Sequence, residues 1–503
     1  MKKTFALCAV LLVLVGVCFA PVFGNDFINF DDDVYVTANP LLQDHLSLRT
    51  LTGAFTTFRA SNWHPLTWLS HRADVALFGY DPRGHHLTSL ALHAVNTLLL
   101  FVLLRLWTGA LWRSACVAAL FGIHPLHVES VVWAAERKDV LSTLFFLLTL
   151  LTYGRYAARR DARRYAAVLF FFILGLLAKP MLVSLPLLLL FLDFWPLGRL
   201  CAGTHRSRCG GRPVSLTPLV VEKIPLLALS ALSGLVTIIA QSMGGAVKTF
   251  EDYPFGIRVG NAMVSAARYL DKTLLPKGLA VFYPHPGRSI SAVSIAGSTL
   301  LLVAITLMAI RAARRRPYLL AGWGWYLVTL APVLGLVQVG AQAMADRYTY
   351  FPQTGLFVIS AWGVADLTRS WRFRAEILAA VAAVLLLCLA VTTRFQVQVW
   401  RTSVSLFEHA LAVTENNFIA HDNLSSALLD LGRTREAMRH ALQALRIVPD
   451  RSPQRYLRFG RALLAAGLHA EAAEVLEKAV RMNPADPEAG RLLAAARAGI
   501  QTR

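Results

Sequence analysis

Three consecutive carboxylates, Asp31, Asp32 and Asp33, are the first residues of the chain whose type and spacing could do chemistry. They come shortly after an apolar run at residues 4–23. If that run spans a membrane, the carboxylates lie where its far end meets water. Such a cluster is either the solvated start of a loop or a general base that takes a proton from a substrate at the membrane surface.

A second set of polar residues lies in one short stretch of the chain. Its members are His124, His127, Glu129, Glu136, Arg137, Lys138 and Asp139. The two histidines could share a helix face, but a metal site needs at least three converging ligands and Pro125 interrupts the helix. Arg137 and Lys138 could hold a phosphate group through charge-assisted hydrogen bonds. The alternative is a surface loop whose charges neutralise one another.

Two smaller sets resemble the second in chemistry. His64 stands in the aromatic stretch Asn62-Trp63-His64-Pro65, and Asp346 precedes Arg347 directly. A histidine beside tryptophans is ordinary at a membrane interface, and Asp346 with Arg347 could be a simple ion pair. Polar side chains at the edge of a membrane are nevertheless candidates for function, because they are costly to keep there. Lys179, before Pro180, has the same two interpretations.

Composition places these residues in a membrane protein. The 503-residue chain is 56% hydrophobic and 16% charged, whereas soluble domains are about 45–50% apolar and about 25% charged. Its net charge of +20 could suggest nucleic acid. The arginines lie in clusters between apolar runs, however, so the charge indicates membrane topology, and we expect no nucleic-acid partner.

Eleven apolar runs are long enough to be candidate spans. They cover residues 4–23, 86–107, 110–128, 139–157, 164–182, 183–198, 219–240, 290–311, 318–338, 350–367 and 375–395. Lysine and arginine are concentrated in alternate connections, which include Arg206, Arg208 and Arg212. Cytoplasmic loops are rich in these residues. The pattern therefore predicts a cytoplasmic N-terminus and an extra-cytoplasmic C-terminus.

The chain divides into four predicted parts. A signal-anchor helix at 1–23 is followed by a first extra-cytoplasmic loop at 24–85, which carries the acids and interfacial helices. A polytopic domain at 86–395 contains a second large outer loop at 241–289, and a soluble helical domain follows at 396–503. In that last domain Ala437 and Ala472, and Pro449 and Pro484, recur at a spacing of 35 residues. The spacing is typical of tetratricopeptide helix pairs and predicts two repeats, at 415–449 and 450–484.

Several stretches together resemble a known family. Asn62 to Trp68, His124 to Ser142, Lys179-Pro180-Met181 and Ala343 to Tyr350 look like a bacterial member of the transmembrane and tetratricopeptide repeat-containing (TMTC) family. That family belongs to the GT-C glycosyltransferases, which use lipid-phosphate sugars. The resemblance implies an all-α protein with a GT-C-like membrane domain and a repeat domain outside the bacterial inner membrane.

The resemblance also implies an activity. We expect transfer of a sugar, mannose in the eukaryotic members, from a polyprenyl phosphate to serine or threonine hydroxyls of a protein. The family's acidic pair corresponds to Asp31 and Asp32, one of which would be the catalytic base in an inverting displacement. Arg137, Lys138 and Arg347 would bind the donor phosphate. The remaining predicted substrate-binding residues are His64, His124, His127, Glu129 and Asp346.

Other functions stay open on the sequence alone. The acceptor could be a glycan or a lipid instead of a protein, or the chain could be a non-enzymatic membrane scaffold that presents its repeats to protein partners. A divalent cation, Mg²⁺ or Mn²⁺, at the aspartates is also open. The short repeat array departs from the many repeats of the eukaryotic members.

Overall fold

The computed structural model describes residues 2–43, 47–200, 214–449 and 452–501. Arg206, Arg208 and Arg212 of the sequence analysis lie outside these ranges. The described chain is almost entirely helical, as the sequence predicts, with two short strands, β1 (Tyr283–Pro284) and β2 (Gln342–Met344). It separates into two compact units. Unit 1 comprises residues 1–25, 34–277 and 285–398, and unit 2 comprises residues 26–33, 278–284 and 399–503.

Unit 1 contains the apolar helices. In chain order they are α1 (Lys2–Phe19), α2 (Pro40–Gln43), α3 (Leu48–Thr56), α4 (Pro65–Phe78), α5 (Pro82–Thr108), α6 (Leu111–Ile123), α7 (Val128–Val132), α8 (Arg137–Ala158), α9 (Ala162–Ala178), α10 (Leu185–Phe194), α11 (Leu216–Val221), α12 (Ile224–Met243), α13 (Phe255–Leu274), α14 (Ala292–Ala312), α15 (Pro317–Leu330), α16 (Gln353–Leu367) and α17 (Arg374–Val399).

Among the described residues, six helical stretches are long and apolar enough to cross a membrane. They are Lys2–Gly24, Pro82–Thr108, Ala134–Ala158, Leu216–Met243, Ala292–Ala312 and Arg374–Val399. A pair bent by 52° (Leu111–Ile123 with Pro125–Val132) makes a seventh. The protein is therefore an integral membrane protein. Each of the other four predicted runs contains a shorter helix, α9, α10, α15 or α16, so the count of eleven stays a prediction.

Small residues and polar side chains fix the helix packing in unit 1. A Cβ on Gly355 of α16 would lie 2.1 Å from the carbonyl oxygen of Gly322 in α15, so these two helices touch through their backbones. His93 of α5 hydrogen-bonds the Gly122 carbonyl of α6 at 2.9 Å and the Tyr350 hydroxyl at 2.7 Å. Asn96 of α5 donates to the Val140 carbonyl of α8 at 2.8 Å. The start of α8 is thereby held against α5.

The end of α8 carries a buried cluster of charged residues. Asp193, Arg199 and Lys223 are almost completely buried. The Tyr153 hydroxyl hydrogen-bonds Asp193 at 2.7 Å, and Arg199 donates to Glu222 at 2.8 Å. Tyr153 lies 16 residues after Arg137 in the same helix, which corresponds to about 24 Å. The two ends of α8 thus hold separate polar clusters, and the helix between them is mostly apolar.

The described part of unit 2 contains six further helices. They are α18 (Ser403–Val413), α19 (Phe418–Asp430), α20 (Thr434–Ile447), α21 (Pro453–Ala465), α22 (His469–Met482) and α23 (Pro487–Gln501). Small side chains on their inner faces, among them Ala437, Ala441, Ala472 and Ala479, are buried. Because alanine lets helices approach closely, the regular spacing of these residues accounts for the close packing of successive helices.

Candidate functional site

The stretch between α6 and α8 is folded into short buried turns. Pro125 ends the preceding helix, and the chain continues through the turn Pro125–His127, the short helix α7 and the turn Ala134–Glu136. Every residue from Gly122 to Ser142 is buried. The alternative of a solvated surface loop, which the sequence left open, is therefore wrong for this stretch.

Glu136, at the end of these turns, joins three cations. Its Oε1 atom is 2.6 Å from the Lys179 Nζ atom, and its Oε2 atom is 2.8 Å from the Lys138 Nζ atom. The Arg347 Nε atom lies 3.7 Å from the same Oε2 atom. Three separate parts of the chain thus meet at one carboxylate.

Two more carboxylates complete the group. Asp139 lies 2.5 Å from Lys179 and also accepts a hydrogen bond from the Ser130 hydroxyl at 2.9 Å. Glu129 accepts hydrogen bonds from the Arg347 side chain at 2.5 Å and from its backbone N–H at 3.0 Å. We call these six residues (Glu129, Glu136, Lys138, Asp139, Lys179 and Arg347) the cation–carboxylate network.

The cations of the network are more exposed than its acids. The side chains of Lys138, Lys179 and Arg347 are 11%, 12% and 14% exposed, whereas those of the three acids are 2–4% exposed. Burial alone would lower the pKa of Arg347, but Glu129 and Glu136 raise it well above its usual value. The cations of the network are therefore more accessible to a ligand than the acids that balance their charge.

Aromatic rings line the cations. The Lys138 Nζ atom lies 4.4 Å from the Tyr35 ring centroid, and the Arg347 guanidinium carbon lies 5.3 Å from the Trp133 ring centroid. Cations near ring faces are stabilised by the ring quadrupole, more strongly where water is excluded. These rings keep the ammonium and guanidinium groups in place without neutralising their charge.

Arg137 lies apart from the network, although it adjoins Lys138 in the chain. Its side chain is 0% exposed and pairs with Asp74 of α4 at 2.6 Å. It also donates to the Ser89 hydroxyl at 2.8 Å and to the His85 carbonyl at 2.6 Å, both in α5. All three guanidinium nitrogens are engaged inside the protein. The structure therefore gives no support to the predicted phosphate-binding role of Arg137.

His124 and His127 are also enclosed in the protein. The His124 Nε2 atom is 3.1 Å from the Thr273 carbonyl of α13, and the His127 Nδ1 atom is 2.8 Å from the Phe121 carbonyl. Both side chains are at most 1% exposed. They join α13 and α6 around the turn at Pro125, and their predicted contact with substrate stays a prediction. Asp346 is buried at the start of the turn Asp346–Thr349.

His64 lies at the start of α4, on a face that also carries Trp68 and His71. The Tyr35 ring lies against Trp68, with centroids 4.8 Å apart, and against His64 at 5.5 Å. Burial lowers the pKa of His64 well below its usual value, and Lys138 lowers it further. Thr67 of the same helix donates to the Ala178 carbonyl at 2.8 Å, beside Lys179. One helix thus positions His64 and holds the segment that carries Lys179.

The predicted catalytic aspartates belong to unit 2. Asp31 is exposed, and its backbone φ of 64° is in the left-handed region, which aspartate tolerates better than most residues. Asp32 is buried, and its Oδ2 atom accepts a hydrogen bond from the Ile28 N–H at 2.9 Å. Neighbouring residues attach this segment to the helical domain, since Asn29 binds the Ser403 hydroxyl and the Asn423 carbonyl, each at 2.9 Å.

The sequence marked Glu136, Asp139 and Lys179 as candidates, because each is a charged residue within or beside an apolar run, but it assigned them no role in the site. Asp74 lies outside the apolar runs, and its ion pair with Arg137 was not predicted. The attachment of the acidic segment to unit 2 had no signal, because it depends on contacts between residues about 370–390 positions apart in the chain.

No cluster of three or more histidine, cysteine or acidic side chains that could hold a metal ion occurs within the residues that the structure describes. The predicted divalent cation therefore stays a prediction.

The chain is similar in sequence to several known proteins. A tetratricopeptide repeat family profile matches residues 428–496. Human protein O-mannosyl-transferase TMTC4 is 26% identical over 478 residues, which cover 84% of this chain and 64% of the relative. The Drosophila melanogaster protein O-mannosyl-transferase Tmtc1 is 35% identical over 100 residues, 20% of this chain and 12% of that protein. The TMTC proteins are homologues of this chain.

The homology has a defined extent. The chain spans less than two thirds of the length of human TMTC4, so the activity of the TMTC proteins enters below as a proposal. ArnT from Cupriavidus metallidurans, solved bound to undecaprenyl phosphate, aligns with 95% of this chain and 80% of its own at 15% identity and a TM-score of 0.36. With a TM-score this low, the alignment does not establish a shared fold, and the GT-C-like fold stays a prediction.

The repeat domain predicted from the 35-residue spacing is confirmed by the tetratricopeptide profile.

Proposed function

We propose that the protein is a membrane glycosyltransferase that moves a sugar, mannose as in the names of its relatives, from a polyprenyl phosphate to serine or threonine hydroxyls of a protein. The observation that carries the proposal is the cation–carboxylate network, in which three cations with side chains 11–14% exposed pair with three acids with side chains 2–4% exposed. An anionic headgroup is the ligand that such an arrangement favours.

The cations suit the leaving group of the reaction. When the bond from the sugar to the phosphate breaks, negative charge develops on the phosphate oxygens. Fixed cations in a water-poor site stabilise this charge without reorganising, which is commonly a large contribution to catalysis. We assign this role to Lys138, Lys179 and Arg347. Lys179 is an addition to the residues that the sequence predicted, and Arg137 is left out.

The base is proposed from the sequence resemblance. Asp31 or Asp32 would accept the proton of the acceptor hydroxyl as its oxygen attacks the anomeric carbon, and a single displacement of this kind inverts that carbon. Asp32 precedes Tyr35 by only three residues in the chain, and Tyr35 is the residue whose ring lies 4.4 Å from Lys138.

The repeat domain is proposed to bind the protein acceptor outside the membrane. Tetratricopeptide helix pairs form surfaces that suit extended binding partners. The concentration of lysine and arginine in alternate connections supports a cytoplasmic N-terminus and an extra-cytoplasmic repeat domain.

Binding of polyprenyl phosphate to the purified protein in lipid nanodiscs tests the proposal. The Glu136→Gln/Lys138→Met double variant removes one acid and one cation together, so no buried charge is left unpaired. We expect its affinity for polyprenyl phosphate to fall about tenfold or more, as for a lost charge-assisted hydrogen bond. Lys277→Met, which removes an exposed lysine of unit 1, is the matched control and should bind as the wild type does. Equal affinity in all three proteins would refute the proposed role of the network.

A further inference from the structure

Four buried ring nitrogens on α4 and its N-cap residue have no hydrogen-bond partner among the residues that the structure describes. They are the Nε2 atom of His64, the Nε1 atom of Trp68 and both ring nitrogens of His71. The three side chains are at most 1% exposed. The rings of His64 and Trp68 lie 4.7 Å apart, and His71 follows Trp68 by three positions on the same side of the helix. Buried polar atoms are nearly always paired, and a group of four unpaired ones requires an explanation.

This face adjoins the cation–carboxylate network. The Tyr35 ring packs on Trp68 with an angle of 29° between the ring planes, and the Lys138 Nζ atom lies 4.4 Å from the centroid of that same Tyr35 ring. His71 also lies near Tyr35, with ring centroids 6.3 Å apart. Tyr35 thus lies beside the rings that carry the unpaired nitrogens and also beside Lys138, one of the residues proposed to bind the phosphate.

The chemistry of the face favours an uncharged ligand with hydroxyl groups. Burial lowers the pKa of His71 well below its usual value, and Arg137 lowers it further, so the imidazole is neutral. A neutral imidazole offers one donor and one acceptor, and the indole of Trp68 offers one donor. A hydroxyl group can satisfy either kind of atom. Aromatic rings beside these nitrogens provide apolar surface of the kind that lines small-molecule sites.

We propose that His64, Trp68 and His71 bind the hydroxyl groups of the sugar on the lipid-phosphate donor. This inference rests on the proposed function and goes beyond it, because it assigns Trp68 and His71 to the site and states which part of the donor they contact. In such a donor the sugar is bonded directly to the phosphate, so its site must adjoin the cations.

The test compares the binding of two lipids to the whole protein in nanodiscs. One is polyprenyl phosphate that carries mannose, and the other is polyprenyl phosphate alone. We expect His71→Phe and Trp68→Phe each to weaken binding of the mannose-bearing lipid about tenfold, the value of one lost hydrogen bond of average-to-high strength. Binding of the sugar-free lipid should change less than twofold.

The chain offers a matched control. Trp63→Phe also removes an indole N–H from this stretch, but that group already donates to the Phe55 carbonyl at 2.8 Å. The control should lower the affinity for both lipids equally or not at all. His71→Phe leaves no hydrogen-bonding partner unsatisfied, so we expect it to fold. If it does not, the comparison of Trp68→Phe with His71→Gln replaces it, and only Trp68→Phe should lose the full tenfold.

Two results would overturn the inference. The variants could leave the affinity for both lipids unchanged, or they could lower it by the same factor, which would mean that the nitrogens serve packing or bind water only. Either result is distinguishable from failure of the proposed function, which the Glu136→Gln/Lys138→Met variant reports separately. If Glu136→Gln/Lys138→Met loses affinity for both lipids while His71→Phe and Trp68→Phe still prefer the mannose-bearing lipid as the wild type does, the proposed function stands. Only the assignment of His64, Trp68 and His71 to the sugar is then wrong.

Discussion

At the scale of single residues, Glu136 organises the candidate site. Its two oxygens reach Lys179 and Lys138 at 2.6 and 2.8 Å, and Arg347 lies at 3.7 Å. A buried carboxylate costs free energy unless it is paired, and here one carboxylate fixes three cations at once. The cations gain a defined geometry while their outer sides stay partly exposed. The side chains of these cations are 11–14% exposed, whereas that of Arg137, in its structural ion pair with Asp74, is 0% exposed.

Arg347→Lys tests this view at one position. The substitution keeps the charge but loses the planar guanidinium, which contacts Glu129 through one nitrogen and approaches Glu136 through another. Lysine is a point charge and cannot reproduce that geometry. We expect kcat for sugar transfer to fall about 100- to 1,000-fold, the range for removing one oriented donor from a site of developing charge. A rate within twofold of the wild type would show that charge alone suffices at this position.

The sequence identifies the charged residues that are candidates for the site, but it does not predict which groups they contact. Lys138 and Arg137 are adjacent cations, and nothing in their spacing separates them. The structure places Lys138 in the network and Arg137 in a closed pocket of polar groups, because successive residues at the start of a helix point in directions about 100° apart. Their side chains therefore meet different neighbours, Tyr35 for Lys138 and Asp74 for Arg137.

At the scale of elements, the site depends on where α8 begins. Arg137 is its first residue, and its bonds to Asp74 of α4 and to His85 and Ser89 of α5 attach that end of the helix to two others. The apolar periodicity of the sequence predicts α5 and α8, and the structure has both. It could not predict this attachment, because the contacts join parts of the chain about 50–60 residues apart.

Removing Arg137 should therefore destabilise the protein. Arg137→Met leaves Asp74 buried and unpaired, and breaking a buried ion pair in this way costs about 3–5 kcal/mol. The double variant Arg137→Met/Asp74→Leu leaves no unpaired charge and should recover most of that loss. Resistance to unfolding in SDS measures both. If the single variant is as stable as the wild type, Arg137 does not anchor α8.

The helix pair α19 and α20 contains two histidines in contact with each other. The Nδ1 atoms of His421 and His440 are 2.9 Å apart, and one ring must donate to the other, which requires at least one neutral ring. Burial lowers the pKa of His421 to about 4, and His440 lowers it further. The unfolded chain, with a histidine pKa of about 6.5, binds more protons than the folded one between these two values.

Stability of this pair should consequently rise with pH. Because the folded pKa is depressed, stability is fully present above about pH 6.5 and is lost as the pH falls toward 4. Hydrogen exchange of the α19 and α20 amides in the whole protein measures it. We expect protection to fall between pH 7 and pH 4, after correction for the intrinsic exchange rate, and to fall less in His421→Gln. The same pH dependence in wild type and variant would contradict this account.

At the scale of the whole molecule, the sequence predicts a membrane domain and a repeat domain, and the structure contains both kinds of helix. It did not predict that residues 26–33, in the loop after the first apolar helix, would belong to the same compact unit as the repeats. The predicted base is thus part of the unit that we propose binds the acceptor. Buried charges at the two ends of α8, about 24 Å apart along the helix, suit a span whose ends face different sides of a membrane.

Sugar transfer by the purified protein tests the central claim most directly. The measurement is the rate at which labelled mannose moves from polyprenyl phosphate to serine and threonine of extra-cytoplasmic proteins, for the wild type and for Asp31→Asn/Asp32→Asn. The account predicts transfer by the wild type and a loss of about 10²–10⁴-fold in the double variant, the usual contribution of a general base. Asp33→Asn, which changes the adjacent exposed acid, should transfer at the wild-type rate. Wild-type transfer by the double variant would contradict the account.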